Sequence, residues 1–205
     1  MLIIGAGGFA AQIIDDLELT FGNNLCFWSQ TISKYDFISH YPLLTNDVEV
    51  KKYFKENSEY ILAVGTPKIR ETLFLKFSTL GGKNISFISP AAKVSRYAEM
   101  EKGVIVSSDA VIEAGTFIKV GCLINKKALV THGCKIGPFC EIGPGAILNG
   151  DCIIGEKCFI GAGAIVIPKK NIGNDVVIAA GAVVINDIPD SMMVAGIPAI
   201  KKDKK

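Results

Sequence analysis

At 205 residues, 49% of them hydrophobic and 20% charged, the chain carries enough apolar material for one large domain or two small ones and is not disordered. Lys+Arg 22 against Asp+Glu 20 leaves a net charge of +2, which excludes a general nucleic-acid binder; only residues 201–205, four of them lysine, are markedly basic. No charged leader, apolar signal core or small-residue cleavage site precedes the first apolar stretch, so a cytoplasmic protein is expected. The longest apolar run, residues 176–185, is about half the length of a membrane-crossing helix and contains Gly181, so no membrane span is expected either.

In chain order, Leu2-Ile3-Ile4 reads as a buried strand and Gly5-Ala6-Gly7-Gly8-Phe9-Ala10 as a tight turn. Residues 11–19 follow as a helix ending near Gly22, and residues 25–28 as a second strand. Another apolar strand covers 60–64. Its loop leads to Thr66 as helix cap and Pro67 at the first helical position, then a helix to about residue 80, a Gly81-Gly82 stop and a strand near 85–88. The alternation predicts a small parallel, Rossmann-like α/β domain over residues 1–90 with one ligand edge. A glycine turn between strand and helix lets backbone amides approach phosphate oxygens, although the same turn also serves close packing of a helix on a strand. Trp28-Ser29-Gln30 stand where a dinucleotide site would hold an acidic residue, so a nucleotide-sugar phosphate fits better. Gly65-Thr66-Pro67-Lys68 opens a helix at the neighbouring strand end, and the two loops are expected to flank one phosphate-containing ligand.

The remainder, residues 91–205, is a repeat. An aliphatic residue recurs every six positions: Val94, Met100, Val106, Ile112, Ile118, Ile124, Val130, Ile136, Ile142, Leu148, Ile154, Ile160, Val166, Ile172, Ile178 and Val184. Four positions after most of these comes a small residue, as at Ala98, Ala110, Cys122, Ala128, Cys134, Cys140, Ala146, Cys152, Cys158, Ala164 and Ala182. One bulky and one small inward slot per hexad suits a prism whose walls are very short strands, three hexads to a triangular coil. Residues eighteen apart then stack on the same wall, about 4.8 Å apart. Five of the six cysteines fall in the small slot, where a thiol is a compact apolar filler rather than a disulfide partner, metal ligand or nucleophile. Cys26, outside the repeat, has no evident partner.

A glycine-turn α/β domain followed by a hexapeptide prism and a terminal Ala195-Gly196-Ile197-Pro198-Ala199 resembles the bacterial sugar O-acyltransferase family related to sialic acid acetylation. Within it, the chain looks nearest to N-acetyltransferases of nucleotide-linked 4-amino-4,6-dideoxysugars. The likeness covers nearly the whole chain and is most specific over residues 125–150. It implies that the prism is a left-handed parallel β-helix, although crossover rules alone favour the opposite hand. It further implies homotrimers in which coenzyme A lies between adjacent prisms, and a role in surface polysaccharide synthesis.

The resemblance makes His132 the general base and gives Gly150 a backbone amide aimed at the thioester carbonyl, with Asn125 grouped beside them. It matches Gly5, Gly7, Gly8 and Phe9, together with Gly65, Thr66 and Lys68, to the nucleotide-sugar site. Three positions depart from the family: Gly133 stands where an acidic residue often follows the histidine, Phe9 replaces an aromatic nitrogen donor, and Ser29-Gln30 replace paired acids. The first leaves the imidazole without an identified orienting partner.

The residues themselves are consistent with that chemistry. His132 sits two positions after the inward Val130, so its side chain should point out of the prism, and Gly150, eighteen residues on, should lie directly above it. Acetyl transfer needs a base of near-neutral pKa and a donor facing the carbonyl oxygen, and it can proceed by direct attack in a ternary complex with acetyl-CoA and no metal. Outward Gly161, Ala162, Ala179 and Ala180 leave room for the pantetheine arm, or merely form tight corners. Pro198 and Lys201 complete the expected cofactor set, though a terminal lysine run also serves as a solvated tail. Glu141 is expected either to touch the sugar or to be exposed, and His40 to be a surface residue. Two other readings remain open: O-acetylation of a sugar such as sialic acid, and a non-catalytic β-helix binding protein.

Overall fold

The computed structural model describes residues 1–31 and 33–202. Strand β1 (Leu2–Ile4) leads into helix α1 (Gly8–Phe21), β2 (Cys26–Trp28), α2 (Asp36–Ser39) and β3 (Leu43–Leu44). Helix α3 (Asp47–Glu56), β4 (Glu59–Leu62), α4 (Pro67–Thr79) and β5 (Lys83–Asn84) follow. The five strands form one parallel sheet in the order β3-β2-β1-β4-β5. The connections reverse direction at β1, so the starts of α1 and α4 lie at adjacent strand ends, the position of the ligand crevice in open α/β sheets. Helix α1 begins at Gly8, three residues before the pattern predicted, so the turn is confined to Gly5–Gly7 and Phe9 is helical. Gly5 needs its positive φ of 111° and lacks room for a side chain: a Cβ would sit 2.6 Å from the Ala63 carbonyl oxygen.

The strand expected near residues 85–88 is two separate pieces. Lys83–Asn84 closes the α/β sheet, whereas Phe87–Ile88 opens the prism by pairing with Ile105–Val106. From there, sixteen two-residue strands run from Lys93–Val94 to Val183–Val184, one per hexad, and the aliphatic series occupies the second place in each. They stack in parallel with an offset of eighteen residues, giving three walls. The first wall carries Leu123–Ile124 and Glu141–Ile142, the second Leu129–Val130 and Ile147–Leu148, the third Lys135–Ile136 and Ile153–Ile154. Cys122, Cys134, Cys140, Cys152 and Cys158 are all fully buried free thiols; Cys122, Cys140 and Cys158 stack in one column of the small slot and Cys134 and Cys152 in another, while alanines fill the third.

The top of the prism is covered by one stretch of chain. Met193–Ala195 adds to the first wall and pairs antiparallel with Ile200–Lys202; Ile188 bridges to Ile172 on the third. On the second wall, the Val183 N–H donates to Gly196, and the Val183 carbonyl accepts from Ala199.

The outward residues of the first wall decide how the two parts meet. Phe87, Ile105 and Leu123 are buried against Ala10, Ile13 and Leu17 of α1 and against the sheet, burial that stabilises by about 1.5–3 kcal/mol per large side chain. One further contact is polar. Arg70 of α4 is fully buried, and its five N–H groups meet five backbone carbonyls: Val64 and Gly65 in its own domain, Gly121, Phe139 and Cys140 in the prism.

Candidate active site

Above Leu123, the outward residues of the first wall are no longer covered. Glu141, Phe159 and Val177, in register, form the floor of a cleft of about 390 Å³, and Thr66, Pro67 and Lys68 at the start of α4 form its wall. Lys68 Nζ lies 3.1 Å from Asp175 Oδ1 at the rim, and Lys157 sits between Glu71 and Glu156. Thr66 occupies the cap position of α4 but its side chain makes no capping hydrogen bond, which leaves the hydroxyl available to the cleft.

Glu141 is half-buried here rather than exposed. Its carboxylate is 3.4 Å from where a Cβ on Gly65 would stand, and it accepts from Asn125 Nδ2 at 3.4 Å. Asn125 Oδ1 in turn accepts from Gln12 of α1 at 2.5 Å. Burial pushes the Glu141 carboxyl up to about 7, against the opposing pull of the nearby Arg70 guanidinium. Because the folded chain holds this proton more tightly than the unfolded one, its stabilising effect is complete below about pH 4.5 and is lost as pH rises through about 7. The loss is on the order of 3 kcal/mol. Glu141→Gln keeps the acceptor for Asn125 without the titration. In thermal melts from pH 4.5 to 8 the variant should therefore gain on wild type as pH rises, and a constant difference would count against this account.

The other half of the expected site lies elsewhere on the prism. His132 is at the corner between the second and third walls, with its side chain 68% exposed. Gly150 stacks directly above it: a Cβ there would come within 2.7 Å of both Cε1 and Nε2 of the imidazole, so any side chain would displace the ring from this place. Among the described residues, the Gly150 N–H has no hydrogen-bond acceptor, although the residue is buried. The acidic partner that the sequence did not identify is Glu113, one coil below. Its Oε2 accepts from the His132 backbone N–H at 2.9 Å and lies 3.6 Å from Nδ1.

One chain therefore does not bring Asn125 to His132. Seven residues of this repeat cross one wall, placing Asn125 at the corner between the first and second walls with Gln12 and Glu141, and His132 at the next corner. Gly161, Ala162, Ala179 and Ala180 sit above Asn125 on its corner. Gly161 is buried and needed for stacking, since a Cβ would stand 2.5 Å from the Ala180 nitrogen; Ala162 and Ala180 are exposed.

At the glycine turn, Gly7 caps α1 without a side-chain bond, and Gly8 faces the Tyr35 hydroxyl, which lies 3.4 Å from where a Cβ on Gly8 would stand. Ser33 folds over the turn by donating to the Ala6 carbonyl at 2.8 Å. Lys201 lies on the exposed terminal strand and Pro198 in the turn before it; residues 203–205 of the basic tail lie outside the described residues. No helix among the described residues is long and apolar enough to cross a membrane.

Residues 1–77 match the PglD N-terminal domain, residues 133–168 the six-repeat bacterial transferase hexapeptide, and residues 152–185 the hexapeptide repeat of succinyl-transferase. No match was found among curated protein sequences. Among solved structures, the acetyltransferase domain of PglB from Neisseria gonorrhoeae FA1090, in complex with acetyl coenzyme A, is 32% identical, with a TM-score of 0.90 and 98% of each chain covered. PerB from Caulobacter crescentus, in complex with CoA and GDP-perosamine, is 32% identical, with a TM-score of 0.89 and coverage of 98% of this chain and 96% of that one. WeeI from Acinetobacter baumannii AYE shares the fold at 21% identity and a TM-score of 0.86, with 98% of each chain covered. The prism is thus a left-handed parallel β-helix, and the protein is an acyltransferase. The chain belongs to the hexapeptide-repeat acyltransferases, and its structural neighbours PglB and PerB are nucleotide-sugar N-acetyltransferases of that family.

Proposed function

We propose that the protein transfers the acetyl group of acetyl-CoA to the amino group of a nucleotide-linked 4-amino-4,6-dideoxysugar, with His132 as general base. The observation that carries the reading is an outward imidazole whose Cε1–Nε2 edge packs under the Cα of buried Gly150, whose N–H has no acceptor among the described residues. Acetyl-CoA supplies the electrophilic carbonyl. His132 Nε2 takes the proton from the attacking amine as the N–C bond forms, the Gly150 N–H donates to the carbonyl oxygen as negative charge builds on it, and the C–S bond breaks. The departing thiolate then receives the proton from the imidazolium, so the base is regenerated without a covalent enzyme intermediate.

For the nucleotide sugar, the first-turn amides of α1 lack intrahelical acceptors and face the end of β1, as anion-binding helix starts do. Gly5, Gly7, Gly8 and Phe9 would form this phosphate side, and Gly65, Thr66, Lys68 and Glu141 the sugar side. This assignment places the sugar at the first wall and the imidazole two corners of the prism away. The reading therefore requires a homotrimer, in which the second wall of one subunit brings His132 to the cleft of the next and coenzyme A runs between prisms along Ala162 and Ala180. PglB and PerB, the relatives above, are described with acetyl coenzyme A and with CoA and GDP-perosamine, respectively, which supports the same substrate classes here. Acetyl-CoA and nucleotide sugars are both cytoplasmic metabolites, and a cytoplasmic step in surface polysaccharide synthesis is the setting we propose.

The test is thiol release from acetyl-CoA with UDP-, dTDP- and GDP-linked 4-aminosugars, and with hydroxyl acceptors such as sialic acid. Turnover confined to an aminosugar supports the reading. Turnover on the hydroxyl acceptor alone, or on none of them, overturns it.

A further inference from the structure

We infer that Glu113 is the positioning residue for His132, holding the imidazole from the coil beneath so that Nε2 faces Gly150. The inference rests on His132 being the base. Its geometry is separate from that assignment: Glu113 Oε2 lies 3.6 Å from Nδ1, while the Gly150 Cα side approaches the opposite edge at Cε1 and Nε2. A carboxylate beside Nδ1 keeps the proton there and leaves the Nε2 lone pair free to act, and it compensates the imidazolium once a proton has been taken. Apo separations of this length commonly shorten when substrates bind.

Neither neighbour of His132 on its own turn can take the role. Thr131 spends its hydroxyl on the Leu148 carbonyl at 3.0 Å. Gly133 has φ +70°, and the Asp151 carboxylate already occupies the place of a Cβ there. A carboxylate for Nδ1 therefore has to come from an adjacent coil, and Glu113 is the one in reach.

The competing explanation is purely structural, and the same chain supplies its control. Glu101 Oε2 accepts from the Val120 N–H at 2.8 Å, nineteen residues later, the same reach that Glu113 makes to the His132 N–H, with no histidine involved. A coil-capping glutamate needs only an acceptor oxygen, which glutamine also has. Glu113→Gln thus preserves the cap and removes the charge at Nδ1.

The experiment is steady-state kinetics of Glu113→Gln and Glu113→Asp, each also in a His132→Ala background, with the melting temperature as a check on folding. Positioning predicts a fall in kcat of about 10- to 100-fold for Glu113→Gln at unchanged KM and melting temperature. Glu113→Asp should recover part of it, and Glu113→Gln should have no effect once His132 is gone. Wild-type kcat in Glu113→Gln with an inactive His132→Ala overturns the Glu113 role and leaves the base in place. A loss carried by KM, or one that persists without the imidazole, also overturns it. A fully active His132→Ala sinks both.

Discussion

His132→Ala should fold and bind both substrates normally while kcat falls by about 10²–10⁴. The side chain is 68% exposed and its backbone N–H keeps its bond to Glu113, so removing the ring touches no core contact, and a stability change within about 0.5 kcal/mol is expected. The loss should appear in kcat rather than KM, because proton removal from the amine matters only as the N–C bond forms. What remains would come from holding amine and thioester together, with the Gly150 amide still in place. Measuring kcat, KM and melting temperature together separates the cases. A variant within threefold of wild type would mean that another group accepts the proton.

Arg70→Ala is expected to destabilise the chain by at least about 3–5 kcal/mol, a large share of the 5–15 kcal/mol typical of a domain. The guanidinium is wholly enclosed, and burial alone lowers its pKa, offset by Glu141 among its neighbours. It persists because all five donors are used. Truncation would strand four carbonyls, those of Val64, Gly65, Gly121 and Phe139, leave the Cys140 carbonyl with only the Leu123 N–H, and open a void between the domains. Chemical denaturation should show the midpoint falling, with the α/β domain losing structure before the prism. A shift of under 1 kcal/mol would mean that water replaces the side chain without cost.

His132 and Arg70 mark the two extremes of what the sequence discloses. The hexad series marked the second residue of every wall strand from Val94 to Val184, because a period of six with one bulky slot has few structural solutions. The same series hid the arrangement of the site. Read linearly, Asn125 and His132 are near neighbours, yet a hexad is a turn through one corner, so a step of seven positions separates them by a wall. Glu113 escaped for a related reason: the eighteen-residue stack leads from His132 down to Ala114, and the carboxylate comes from the residue beside it, nineteen positions away.

In the first domain, α3 went unpredicted although its start is marked. Asn46 caps it by accepting from the Val48 and Glu49 N–H groups, and Glu49 reaches back to the Thr45 N–H at 2.8 Å. Its apolar face is only Val50 and Phe54, too sparse for periodicity to register. Arg70 carried no signal at all, since nothing in a helical pattern says that an arginine will be swallowed by carbonyls from another domain.

The chain that closes the top of the prism has a further consequence. A stack of parallel coils ends in three rows of unpaired N–H and C=O groups, each a template for another copy of the same repeat. Residues 188–202 occupy all three rows, and the outermost strand runs antiparallel, so it presents the wrong direction for a further parallel coil. The segment thus acts as a filament stop: it lets a fold assembled by repeated addition terminate at a fixed height, and growth from coil to coil ends within one molecule instead of continuing into the next.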